Sequence, residues 1–209
     1  MIPHHHIDLG SVLRGTVCAL YSNLVTRPTG AAVRTEIERV IAEAGGRTVT
    51  VIDFAQVTLL DFSCADEIVA KLMLRYCAPL APTIAGDADA AAGYFVFRGL
   101  RDHHLDAVEA VLERHGLAIV ALIDGRPQVV GEVNAAERRA WDALHRLAPA
   151  DAATLAAHLD DDPVACSATL ERLARRRLVM PTPDGAWLPV GLLASLAKLD
   201  LAAFPGRTS

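Results

Sequence analysis

Lysine is nearly absent from this chain. Lys71 and Lys198 are the only two, and arginine carries the rest of the positive charge. The net charge is −5, so no global basic character exists to hold nucleic acid or an anionic membrane. Cysteine is scarce too. Cys18, Cys64, Cys77 and Cys166 form no Cys-x-x-Cys pair and match no zinc spacing. A reduced, cytoplasmic setting is the simplest account of them. The N-terminus has no apolar stretch of signal-peptide length. No uninterrupted apolar run approaches the roughly 20 residues that a bilayer demands. Neither a phosphate-binding glycine loop nor a nucleophile–base pair is present, and no cofactor is expected.

What the chain does have is apolar content, 52% of 209 residues. That is enough for one large domain or two small ones. The first half alternates strand and helix signals. Thr16 to Tyr21 reads as a strand, and Pro28 is placed to begin a helix. Val33, Ile37, Val40 and Ile41 share a helical face that Gly45-Gly46 closes. Thr48 to Phe54 reads as a buried strand, and Asp66 to Tyr76 as a helix. Residues 79–93 are rich in Ala, Pro, Gly and Asp and read as a long mobile loop. Tyr94 to Phe97 is a strand, and His103 to His115 a helix. Leu117 to Ile123 turns at Asp124-Gly125 into Gln128 to Val130. Strands alternating with helices imply an α/β layer.

The pattern changes near Glu132. Helices are expected at Ala135 to Leu147, Ala152 to Leu159 and Val164 to Arg177. A hairpin follows, with Leu178 to Met180 and Ala186 to Leu188 as its arms. A last amphipathic segment runs from Leu192 to Leu201. The expected division is therefore residues 1–131 and residues 132–209.

The most informative stretch is Asp53-Phe54, Val57 and Asp61-Phe62-Ser63-Cys64-Ala65-Asp66-Glu67. An apolar strand ends there, the chain turns, and a serine sits where a helix begins. Backbone N–H groups and the helix dipole favour negative charge at such a point. This arrangement, from about Leu13 to Val130, resembles the STAS fold, more closely its divergent STAS-like branch. In anti-anti-sigma STAS proteins the turn reads Asp-Ser-Ser/Thr-Gly. A partner kinase phosphorylates its second hydroxyl residue. Ser63 falls on that position and Asp61 on the family's Asp, while Phe62 and Cys64 depart from the pattern. Residues 132 to about 189 resemble the winged-helix domains of bacterial transcription regulators, through helix order and the hairpin wing. The resemblances imply an α/β, STAS-like sheet with helices packed against it, then a small winged helix-turn-helix domain.

Each candidate residue also has a plainer reading. Ser63-Cys64-Ala65-Asp66 has capping-box spacing, so Ser63 fits a helix N-cap as well as a phosphorylation site. A phosphate there would be repelled by Asp61 and Asp66. Asp53 and Asp61 lie near strand ends, where aspartates commonly stabilise turns. Arg27 and Arg34 flank the start of the first long helix. They suit a phosphate or an acidic partner loop, or are simply solvated. His4-His5-His6 is expected on a flexible terminus. His103 and His104 point about 100° apart on a helix. No metal site is read from these histidines.

DNA reading by the third C-terminal helix is left open. With Leu170 and Leu173 inward, Val164, Ala165, Ala168, Arg172 and Arg175 face outward. Base contacts favour Arg, Lys, Asn or Gln, and none precedes Arg172. DNA contact would therefore fall to Arg172, Arg175, Arg176 and Arg177. Seven arginines against nine acids leave residues 132–190 net acidic, and Asp160-Asp161-Asp162 would repel a DNA backbone.

The expectation is a cytoplasmic regulatory protein and not an enzyme. The elbow Asp61, Ser63, Asp66 and Glu67 would bind or release a protein partner. Ser63 would be a phospho-switch for a histidine-kinase-like serine kinase, and the winged helix the output in transcription regulation. The alternative is a protein–protein adaptor whose winged helix mediates oligomerisation, for instance a homodimer, and does not bind DNA.

Overall fold

The computed structural model of the protein describes residues 4–16, 22–44, 48–76 and 93–193. A five-stranded sheet lies at its centre. Its members are β1 (His4–Asp8), β3 (Thr48–Asp53), β5 (Gly93–Arg98), β6 (Ala118–Ile123) and β7 (Arg126–Gly131), in that spatial order. The first four run parallel, and β7 returns antiparallel through the Asp124-Gly125 turn. A mixed α/β architecture follows directly from the alternation in the sequence. Two short strands, β2 (Asn23–Leu24) and β4 (Leu59–Leu60), pair in parallel beside it.

Every residue of β3 is buried, because both faces of the sheet are covered. On one face Ile52, Phe95, Phe97, Ile119 and Ala121 share a core with four helices. These are α1 (Leu9–Thr16), α2 (Arg27–Ala44), the helix opening with α3 (Phe62–Ala65), and α5 (Asp102–His115). The stripe Val33, Ile37 and Ile41 of α2 lies in this core, as its 3.6-residue spacing requires.

The opposite face belongs to the second half of the chain. Val49, Val51, Tyr94, Val96, Val120 and Val129 share one apolar cluster with Trp141, Leu144, Leu170, Leu173 and Met180. Those partners come from α6 (Ala135–Leu147), α8 (Pro163–Arg175) and β8 (Val179–Pro181). The helix α7 (Ala152–Leu159) and the strand β9 (Trp187–Pro189), paired antiparallel to β8, complete the unit. The order is three helices and a hairpin. Each helix has a side-chain cap. Asn134 accepts from Glu137 N–H, Asp151 from Thr154 N–H, and Asp162 from Ala165 N–H with Pro163 at the first helical position.

Several expectations change. His4 to His6 lies in an edge strand in register with Val49 to Val51, not on a loose terminus. Thr16 closes α1, and the rest of the expected strand at 17–21 lies outside the described residues. So does the expected loop apart from Gly93, which opens β5, and so does most of Leu192 to Leu201. The helix expected at Asp66 begins at Phe62. It passes through a π-helical turn, Asp66–Ala70, before α4 (Lys71–Tyr76).

Candidate functional site

At the elbow, Asp61 is the N-cap and Ser63 is not. The backbone of Asp61 is extended, and its carboxylate accepts the Cys64 N–H at 2.8 Å. Ser63 lies within the first turn, half-buried, and its hydroxyl donates to Asp61 Oδ1 at 2.9 Å. The capping-box reading of Ser63 fails because the helix starts two residues earlier than that spacing needs. The amides of the first turn already face a carboxylate. Cys64 is buried and donates its thiol to the Thr26 carbonyl at 3.0 Å. Burial, then the Asp61 carboxylate, push this thiol up to about 11, so it is a poor nucleophile. Around the elbow, Val25, Leu59 and Phe62 are exposed. Val25 follows β2, Leu59 lies in β4 and Phe62 follows it by two residues, so the β2–β4 pairing brings them to one end of the elbow, and Arg114 lies over the Phe62 ring at 5.7 Å.

The other two elbow acids point inward. Asp66 and Glu67 are buried, and the arginines expected to take a ligand's anion take these carboxylates instead. Arg27 Nη1 donates to Asp66 and to Glu67, each at 2.8 Å. Arg34 donates to Glu67 at 3.3 Å and to Glu38 at 2.8 Å. Lys71 bonds Glu67 from one turn further along, and Arg75 reaches Glu38 at 2.7 Å. On the far side, His115 Nε2 lies 2.9 Å from Asp66 Oδ1. Burial raises both carboxyls, but the hydrogen bonds outweigh it and leave each below its ordinary value. For Asp66 those bonds come from Arg27 and His115. For Glu67 they come from Lys71, Arg27 and Arg34.

The π turn makes this arrangement reachable. Lys71 N–H bonds the Asp66 carbonyl five residues back, so the helix is locally underwound, and Cys64 through Ala70 are buried without interruption. One acid then faces both α2 and α5 while the next faces α2. Gly30 permits the close packing, since a Cβ there would meet Cys64 Cα at 3.0 Å.

Asp53 has a separate role. It accepts from Ala55 N–H at 2.9 Å and from Arg98 Nη2 at 2.6 Å, and His6 Nε2 approaches to 3.3 Å. Burial pushes its carboxyl up, but the Ala55 amide and Arg98 more than offset that and hold it low. It stabilises a turn, as expected, and pairs with an arginine the sequence did not single out. His103 and His104, expected to diverge, have ring centroids 4.2 Å apart. His104 is fully buried, which pushes its imidazole down. Among the described residues no group of three His, Cys, Asp or Glu is arranged to hold a metal ion.

Three of the four candidate DNA-contacting arginines are engaged within the molecule. Arg172 donates to Glu137 at 3.3 Å and to Thr169 at 2.8 Å. Arg176 donates to the Glu132 carbonyl at 2.7 Å and approaches Glu137 at 3.9 Å. Arg177 lies over the Tyr94 ring at 5.3 Å, on the sheet. Arg175 is exposed and pairs with no described residue. Glu137 is buried, and so doubles as helix cap and arginine partner. Arg172, Arg175 and Arg176 line a cavity of about 430 Å³ with His115, Met73 and Leu74.

Elbow and cavity are therefore joined by one residue, His115, which lines the cavity and touches Asp66. Neither His115 nor Glu137 stands out in the sequence as a site residue. Only the Asn134-x-x-Glu137 capping box marks the latter. No described helix is long and apolar enough to cross a membrane. The chain matches no family model, no curated protein and no solved structure.

Proposed function

We propose that this protein is a non-catalytic cytoplasmic regulator, a STAS-like unit joined to a winged-helix unit, which engages a protein partner at the elbow. The observation that carries the reading is the setting of Ser63. Its hydroxyl is part-exposed in the first turn of a helix, flanked by the exposed apolar side chains Val25, Leu59 and Phe62. Apolar side chains clustered in this way suit partner contact. A phosphate on Ser63 carries about −1.5 to −2 charge at neutral pH. The Asp61 carboxylate, 2.9 Å from the hydroxyl, would have to move away. The helix would lose its cap, worth ~1 kcal/mol, and Phe62 would shift with the first turn. Negative charge thus acts here by displacing Asp61 and remodelling the patch. A serine kinase of histidine-kinase-like type is the partner that suits this chemistry.

The test is capture of partners from the native host with wild type, Ser63→Ala and Ser63→Asp, alongside phosphopeptide mapping of the host protein. Wild type and Ser63→Ala should retain the partner, and Ser63→Asp should weaken it at least tenfold. Equal capture by all three, with no phosphate found on Ser63, would sink the switch.

For the C-terminal unit the internal use of Arg172, Arg176 and Arg177 favours the adaptor reading over DNA reading. The N-terminal half of α8 presents Val164, Ala165 and Ala168 to solvent, which suits contact between copies or with a protein. Light scattering for mass and anisotropy with mixed-sequence DNA at low salt separate the two. A dimer with no DNA signal supports the adaptor. Tight, salt-dependent DNA binding supports transcription control.

A further inference from the structure

The cavity between the two halves of the chain has a chemistry of its own. Its volume, about 430 Å³, falls within the roughly 300–1,000 Å³ of small-molecule sites. One wall is apolar, made by Met73 and Leu74 of α4 and Leu117 before β6. Leu74 is 42% exposed there. The other wall carries Arg172, Arg175 and Arg176. Glu137 is the one carboxylate among the lining residues, and it is already shared between Arg172 and Arg176. His115 is turned toward Asp66. The cavity thus holds three guanidinium groups against one carboxylate. One guanidinium, that of Arg175, has no partner among the described residues.

An isolated exposed arginine needs no explanation. Three of them lining one cavity beside a part-exposed leucine are different, because the site offers positive charge and apolar contact together. We propose that this cavity binds a small organic anion, a carboxylate on a compact apolar body. The carboxylate pairs in bidentate fashion with Arg175, and the body covers Leu74, beside the buried Met73. Inorganic phosphate offers charge without the apolar body and should be a poor substitute. Because His115 lines the same cavity and contacts Asp66, an occupant sits one residue from the ion network behind the elbow. The proposal goes beyond the partner-binding reading and does not depend on Ser63.

The full-length protein is titrated with benzoate, hexanoate and inorganic phosphate at matched ionic strength, following Tm and calorimetric heat. Benzoate and hexanoate should raise Tm progressively, and phosphate should do no more than chloride. Arg175→Glu and Leu74→Asp should each weaken carboxylate binding at least tenfold, with far-UV circular dichroism unchanged. Arg175→Gln serves if the charge reversal fails to fold. Methyl-labelled methionine gives a readout in wild type. Benzoate should move the Met73 methyl resonance and leave that of Met180, buried in the opposite core, in place. The proposal is overturned by any of three results. One is a Met73 signal that does not move. Another is an Arg175→Glu affinity equal to wild type. The third is phosphate raising Tm as much as benzoate, which would mean a charge site without apolar recognition.

Discussion

Glu67 shows how a single residue can be read correctly for chemistry and wrongly for purpose. The sequence marks it as an acid at a helix start and marks Arg27 and Arg34 as anion receivers. The molecule uses these two arginines to neutralise that acid. A buried carboxylate is costly unless it is paired and hydrogen-bonded, and Glu67 has Arg27, Arg34 and Lys71 for that. The consequence is a pH dependence with a definite sign. Asp53, Asp66 and Glu67 all have folded values below their ordinary ones. Their stabilising contribution is complete above the ordinary carboxylate range and is lost as pH falls through the lower folded values. Glu67→Gln should therefore cost about 1–3 kcal/mol at neutral pH, at the lower end because its partners are half-exposed and can rehydrate. It should also flatten the acid limb of the stability curve. Urea unfolding at about pH 7 and about pH 3.5 measures both, and the gap between variant and wild type should narrow at the lower pH. A gap that stays constant would mean that the carboxylate's charge is not what Glu67 contributes.

Elements that rest on local signals were legible in the sequence, and those that rest on distant pairing were not. The ends of α6 and α7 follow from caps that sit beside them, Asn134 with Glu137 and Asp151. The β6–β7 hairpin follows from Asp124-Gly125, both with positive φ. By contrast β1 is three histidines, an isoleucine and an aspartate, with no strand pattern of its own. It is a strand because β3 pairs with it across some forty residues of chain. The π turn is equally invisible, since no local signal marks it and the partners of its Asp66, Arg27 and His115, lie on other helices. Half of the candidate site was legible, in that the elbow and the arginines were named. That they bond one another required the packing of α2 on the elbow helix. The junction of the two halves is an element-scale feature with its own test. Gly131 has φ +97°, and a Cβ there would lie 2.5 Å from the Leu117 carbonyl oxygen. Gly131→Ala should cost about 1–3 kcal/mol through backbone strain alone. In a chain of this length that corresponds to a fall in Tm of roughly 2–4 °C per kcal/mol. An unchanged Tm would mean that the junction can relax, and would weaken the view that it fixes the C-terminal unit against the sheet.

At the scale of the whole molecule, the sequence suggests two modules, and the packing joins them through a single apolar layer. The sheet face formed by Val49, Val51, Tyr94, Val96, Val120 and Val129 is covered by α6, α8 and β8. Arg176 adds a hydrogen bond from the end of α8 to the Glu132 carbonyl, and Arg177 stacks on Tyr94. A sheet whose second face is this apolar has no solvated state comparable to that of a half-polar antiparallel sheet. A ligand at the proposed elbow or cavity sites would therefore bear on a C-terminal unit that shares a core with the sheet. Two measurements follow. Trp141 and Trp187, the chain's only tryptophans, both lie in the second half. Their fluorescence should report the same unfolding midpoint as far-UV circular dichroism, which sees both halves. A chain ending at Gly131 should bind an apolar dye such as ANS strongly and aggregate at micromolar concentration, because it exposes the layer above. If that fragment is instead monomeric and silent toward the dye, or if the two midpoints separate, the halves fold independently. Coupling between them would then have to pass through the cavity that His115 lines together with Arg172 and Arg176, and not through the core.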